Sequence, residues 1–107
     1  MATSVPAADV KLMIIACEAG MGSSLMAANK LKRMLKKAGL KGIKVKHSAV
    51  RAIPKNAQVV FSHKGLSDMT RKKAPWAVCF AFDNFSNIPA FDKVVDALKK
   101  GEDVVAE

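Results

Sequence analysis

Residues 11–16 (KLMIIA) form a near-continuous apolar run. Residues 23–38 follow with Ala27, Ala28, Leu31, Met34, Leu35 and Ala38 at three- and four-residue steps. The first pattern is that of a strand buried on both faces, the second that of an amphipathic helix. Lys30, Lys32, Arg33, Lys36 and Lys37 fill the helix's other face and crowd its C-terminal half, where cations complement the dipole; Gly39 then stops it. Further strands are expected at 42–47 (GIKVKH, one face wet), 58–62 (QVVFS) and 76–82 (WAVCFAF). Pro54 and Asn56 mark a turn, and residues 65–73 a short helix. Phe91, Val94, Val95 and Leu98, at i, i+3, i+4 and i+7, define a last helix opened near Pro89 and closed at Gly101. The order β-α-β-β-α-β-α predicts an α/β fold: a small, doubly wound, four-stranded parallel sheet with helices on both faces.

A chain of 107 residues suits one domain, here 11–107, with 1–10 as a flexible lead-in or linker stub. Such a domain buries roughly 60–70% of its unfolded surface. No apolar run nears the ~18–20 residues of a membrane helix. Residues 1–9 lack the basic and apolar regions of a signal peptide, so the cytoplasm is the expected compartment. Two cysteines, Cys17 and Cys79, make no disulfide framework, and both are expected as free thiols. The net charge of +9 fits a solvated basic face, an acidic protein partner, an anionic membrane or nucleic acid. The last is disfavoured, because the chain has no tyrosine and no motif interleaving aromatic with basic residues.

In sheets of this kind ligands gather at the carboxyl ends of strands, near a switch in strand order. Cys17, His63 and the pair Asp83 and Asn84 fall at such ends. The loop after Cys17 is the most informative: Glu18, Ala19, Gly20, Met21, Gly22, Ser23, Ser24. It has no proline, so every backbone N–H is available. Gly20 and Gly22 let the backbone curl into an anion-binding nest that empties into a helix N-terminus. Ser23 and Ser24 add hydroxyl donors and N-cap candidates. A thiol there is expected below the ordinary value of about 8.5. The loop that stabilises a thiolate also suits a phosphoryl group on sulfur, which suggests Cys17 as a nucleophile. A turn that binds only a cofactor phosphate, or nothing, is the plainer alternative. A third glycine is missing, so a dinucleotide fingerprint is poor.

The C-x-x-G-x-G-S-S arrangement from Cys17 resembles the phosphocysteine loop of enzyme IIB domains of the bacterial sugar phosphotransferase system. Residues 43–66 (IKVKHSAVRAIPKNAQVVFSHKGL) look like the mannitol-type branch, and Asn84-Phe85 fits too. The resemblance covers about residues 11–100. It implies a fold related to low-molecular-weight tyrosine phosphatases. It also implies phosphoryl transfer from a phosphohistidine on a IIA partner to Cys17. The phosphate then goes to a sugar, mannitol or a related hexitol, held by a membrane IIC partner, with the domain at the inner face of the membrane. No cofactor, metal or nucleic acid belongs to that scheme. Glu18 stands where mannitol-type loops commonly carry Asp. The chain carries no membrane segment, so it reads as a free-standing subunit or an excised domain.

The alternatives are a low-molecular-weight phosphatase-like hydrolase and the IIB of an ascorbate-type system. Phosphatase loops place an arginine where this chain has Ser23, and no Asp-Pro pair supplies a late acid. A redox reading needs a resolving thiol, whereas Cys79 sits mid-strand as a buried structural cysteine. His63 either assists phosphocysteine, contacts IIA, or is a solvated strand end; His47 lies further out. Met21 and Met26 suit partner docking or local packing. Lys64 and residues 71–73 suit an acidic IIA surface or solvent. Two histidines and two cysteines show no metal-ligand spacing.

Overall fold

The computed structural model describes residues 4–17, 22–83 and 88–105; Cys17 and residues 22–24 are described by their backbone alone. Chain order gives β1 (Ser4–Val5), β2 (Leu12–Cys17), α1 (Gly22–Lys37), β3 (Lys44–Ala49) and β4 (Val59–His63). α2 (Ser67–Lys73), β5 (Val78–Phe82), α3 (Pro89–Lys100) and β6 (Val104–Val105) follow. Four strands make one parallel sheet in the order β3-β2-β4-β5. This is the doubly wound α/β domain that the alternating pattern predicts.

Buried strands alternate their side chains between two cores. Met13 and Ile15 of β2 join Val59 and Phe61 of β4 and Phe80 of β5 under α1 and α3. Leu12, Ile14 and Ala16 face the other way, with Val60, Cys79, Val50, Ala57 and Ala74. α1 presents Ala27, Ala28, Leu31 and Leu35 to the first core, and α3 presents Phe91, Val94 and Leu98. Phe61 stacks on Phe80 with ring centroids 5.5 Å apart and meets Phe91 edge-on at 4.8 Å. Each such side chain stabilises by about 1.5–3 kcal/mol on burial.

Three boundaries differ from expectation. The apolar alternation puts Gly42 inside the second strand, but its φ of +81° cannot continue a strand, and β3 starts at Lys44 and runs on to Ala49. The segment at 65–73 is a 3-10 turn, Lys64–Leu66, leading into α2. β5, expected from Trp76, starts at Val78, and the crossover from β3 to β4 is made by a 3-10 turn, Val50–Ala52, and the expected turn through Pro54. Gln58 clamps the start of the sheet: its Oε1 accepts from the N–H groups of Lys11 and Leu12, both at 2.8 Å, and its Nε2 donates to the Asn56 carbonyl at 2.8 Å.

Residues 4–10, which composition assigns to a lead-in, carry structure of their own. Ser4 and Val5 pair antiparallel with Val105 and Val104, a 3-10 turn spans Ala7–Asp9, and Val10 is buried in the first core. No helix among the described residues is long and apolar enough to cross a membrane.

Candidate functional site

The chain leaves β2 for β3 on one side and returns to β4 on the other, so strand order switches at β2. The carboxyl end of β2 is Cys17, which pairs with Ala49 of β3. Ala16 pairs with Ser62 of β4, and His63, one residue on, pairs with Phe82 of β5. Ala49, Cys17, His63 and Phe82 therefore end the four strands at one edge, about 4.8 Å apart from strand to strand. Sequence pattern puts Cys17, His63 and Asp83 at strand ends, and the register brings all three to this edge.

α1 begins at Gly22, five residues after Cys17. Ser23 and Ser24 thus lie inside its first turn instead of capping it. That turn leaves its backbone N–H groups without intrahelical acceptors and carries the positive end of the dipole, with no acidic residue to neutralise it. Glu18, Ala19, Gly20 and Met21 lie outside the described residues, as do Asn84 and Phe85.

His63 is half-buried and both its ring nitrogens are engaged. Nδ1 accepts from the Gly65 N–H at 3.1 Å, and Nε2 lies 3.1 Å from the Asp83 carbonyl oxygen. An amide donor on Nδ1 fixes the tautomer: the proton of the neutral ring sits on Nε2 and is donated to Asp83. The ring also stands edge-on to Phe82, centroids 6.1 Å apart. Lys64 adds an ion pair to Asp83 at 3.2 Å, exposed on both sides and so worth little by itself. These contacts tie the end of β4 to the end of β5. No signal in the chain announces the Gly65 and Asp83 contacts, because backbone partners carry no residue-type signature.

Other candidates separate. His47 sits two residues back from the edge, beside Ile15. Arg71, Lys72 and Lys73 lie in the last turn of α2, roughly 10 Å from its start. Arg71 reaches Asp68 at 3.9 Å. Met26, early in α1, is 73% exposed and Met69 on α2 is 53% exposed, so neither serves local packing. Cys79 is buried, and burial pushes its thiol pKa up, while Arg71 draws it partly back. A thiol so placed is a poor nucleophile. Among the described residues no group of three or more His, Cys, Asp or Glu is arranged to hold a metal ion.

Comparison with known proteins gives the family. Residues 12–105 match the family described as PTS system, Lactose/Cellobiose specific IIB subunit. The chain is 41% identical over 95 residues to the PTS system mannitol-specific EIICB component of Staphylococcus carnosus, covering 89% of this chain and 18% of that protein. It is 41% identical over 93 residues to the namesake from Geobacillus stearothermophilus, covering 87% and 20%. A third namesake, from Staphylococcus aureus strain COL, is 40% identical over 94 residues, covering 88% and 18%. The chain thus spans about a fifth of the length of these relatives. The family model and the relatives name different sugars, and the identity along nearly the whole chain is to the mannitol-specific proteins. With its strand order, its thiol at the strand switch and a match over residues 12–105, the chain belongs to the IIB family of the phosphotransferase system, in the mannitol-type branch.

Proposed function

We propose that Cys17 accepts a phosphoryl group from a phosphohistidine on a IIA protein and passes it to a sugar, mannitol or a related hexitol, held by a membrane IIC partner. The observation that carries this is the position of Cys17 at the strand switch, with the N-terminus of a 16-residue helix opening five residues later.

In the first step the Cys17 thiolate attacks phosphorus, an S–P bond forms, and the P–N bond breaks with its electron pair returning to the donor imidazole. In the second, a sugar hydroxyl oxygen attacks phosphorus and the S–P bond breaks, regenerating the thiolate. The hydroxyl proton leaves to solvent or to the sugar-holding partner. Both steps need positioning and charge stabilisation more than acid–base chemistry. Residues 18–21 and the first turn of α1 supply backbone N–H groups for the phosphoryl oxygens, and Ser23 and Ser24 supply hydroxyls. His63, with both nitrogens occupied, acts as a positioning residue that holds the strand ends. Exposed Leu25, Met26 and Met69 offer apolar contact to docking partners. This assigns the domain to the inner face of the membrane.

The test is labelling by phosphorylated cognate IIA. One phosphoryl group is expected on Cys17, cleaved by iodine as a thiophosphate ester. Cys17→Ser abolishes it, since a serine hydroxyl at that position stays protonated. Cys79→Ser leaves it intact. Ser23→Ala or Ser24→Ala weakens it in part, each hydroxyl being worth about 1.5–3 kcal/mol as a charge-assisted donor. Label on His63 that survives Cys17→Ser overturns the proposal. Rapid Cys17-dependent hydrolysis of aryl phosphates favours the phosphatase alternative.

A further inference from the structure

The charge of this chain is unevenly spread. Residues 19–67 hold eleven of the eighteen Lys and Arg and not one Asp or Glu, while every acidic residue lies outside them. Of the eleven, Lys64 alone has an acidic partner among the described residues. Six of the other ten lie towards one corner of the fold. Lys32, Lys36 and Lys37 are exposed on the outer face of the C-terminal half of α1. Lys41 stands in the turn that follows, and Lys44 and Lys46 are exposed along β3, the edge strand. The Lys44 N–H donates to the Lys11 carbonyl at 2.9 Å, which places this corner at the amino edge of the sheet, opposite Cys17. Between Lys32, Lys36 and Lys41 lies a groove of about 170 Å³ whose apolar walls come from Leu35, Leu40 and Ile43, while Lys44 and Lys46, in register with Leu12 and Ile14, leave the edge strand on the sheet face away from α1.

We infer that this corner is a docking surface for an anionic lipid bilayer. A cluster of lysines without acidic partners, interleaved with half-buried aliphatic side chains, suits the headgroup layer, where cations meet phosphates and short apolar groups reach past them. Residues 29–46 contain no aromatic side chain, so the surface has no stacking platform for single-stranded nucleic acid. Exposed Trp76 precedes β5, at the opposite edge of the sheet. The inference rests on the relay reading only in assuming that the domain works beside a membrane. Docked by this corner, the domain keeps Cys17 about 20 Å from the lipid, the length of six strand residues. The transfer edge then faces away from the bilayer, open to a soluble donor, so this pose serves the accepting step and the domain leaves it to hand phosphate to the membrane partner.

The experiment is sedimentation with phosphatidylcholine vesicles containing phosphatidylglycerol, against pure phosphatidylcholine vesicles, at low and physiological salt. Binding is expected to the anionic vesicles alone and to weaken as salt rises. The triple variant Lys36→Glu, Lys37→Glu, Lys41→Glu is expected to weaken it by roughly 100-fold or more. Since glutamate at a helix C-terminus opposes the dipole, Lys36→Gln, Lys37→Gln, Lys41→Gln serves as a gentler partner and should also reduce binding. Lys93→Glu, Lys99→Glu, Lys100→Glu changes the net charge by the same amount on α3 and should reduce it by less than about threefold. Equal losses from the two glutamate variants mean that net charge, not this corner, drives binding, and overturn the proposal. So does tighter binding to duplex DNA than to anionic vesicles at the same salt. Cys17→Ser is expected to bind vesicles like the parent. Failed vesicle binding with IIA labelling intact defeats this inference alone. Failed labelling with binding intact defeats the relay alone.

Discussion

Ser62 is 1% exposed, and its Oγ has no hydrogen-bond partner among the described residues. It sits beside Ala16, one residue before the transfer edge, facing the smaller core. A buried hydroxyl with no partner keeps its desolvation cost of about 1–3 kcal/mol and recovers nothing. Ser62→Ala should therefore stabilise the fold by up to about 1 kcal/mol once the lost volume is counted, read as a higher urea midpoint. A loss of that size instead means the hydroxyl has a partner in the folded protein. Cys79 gives a pH-dependent counterpart. Burial raises its thiol pKa, so the folded chain keeps the proton after the unfolded chain has released it. Its contribution is complete below the ordinary thiol value of about 8.5 and is lost as pH climbs through that value towards the folded one. The parent should lose more urea resistance between neutral and strongly alkaline pH than Cys79→Ala does. Parallel losses in the two proteins exclude Cys79 as the source.

At the scale of elements, what is legible in the sequence is what periodicity encodes. β2 and α1 can be read because their apolar spacing repeats over 6 and 16 residues. α3 is bounded by Pro89 at its first turn and by Gly101, which adopts φ +70° and donates to the Ala97 and Leu98 carbonyls. Cys17 is legible as a candidate because glycines, serines and a thiol at a strand end have few other uses together. β1 and β6 escape such a reading, being two residues each, too short to show any period. The contacts of His63 escape it because they are made to backbone atoms. The β1–β6 pair has a measurable consequence. Val5 packs against the first core, Val104 is 1% exposed, and β1 covers the edge that β6 would otherwise leave open. Deleting residues 1–6 should cost on the order of 1 kcal/mol, which in a domain of this size lowers the melting temperature by roughly 4–8 °C. An unchanged melting temperature means that the segment is a lead-in after all.

The whole molecule measures 32 × 27 × 21 Å, and its net charge of +9 is carried by the half that spans residues 19–67. These dimensions decide how salt acts. At 0.01 M ionic strength the Debye length is about 30 Å, as long as the protein, so the lysines of the basic corner all repel one another. At 0.15 M it is about 8 Å, and only near neighbours such as Lys36 and Lys37 still interact. The unfolded chain spreads the same charges over a larger volume and suffers less from their repulsion. Folding therefore brings ten cations without a described acidic partner, six of them towards one corner, closer than they are in the unfolded chain, at a cost that salt removes. Three exposed or half-exposed ion pairs, Lys64–Asp83, Arg71–Asp68 and Lys100–Asp96, act in the opposite direction, but such pairs contribute about 0–1 kcal/mol each and are themselves partly screened. The repulsion among the ten is expected to exceed these small gains. The urea midpoint should rise when sodium chloride is added from 0.01 to about 0.15 M, a range where screening dominates over salt effects on burial. The rise should shrink in Lys36→Gln, Lys37→Gln, Lys41→Gln, which removes three charges from the crowded corner. A midpoint that falls with salt means that the ion pairs outweigh the repulsion, and that the basic corner is tolerated without strain.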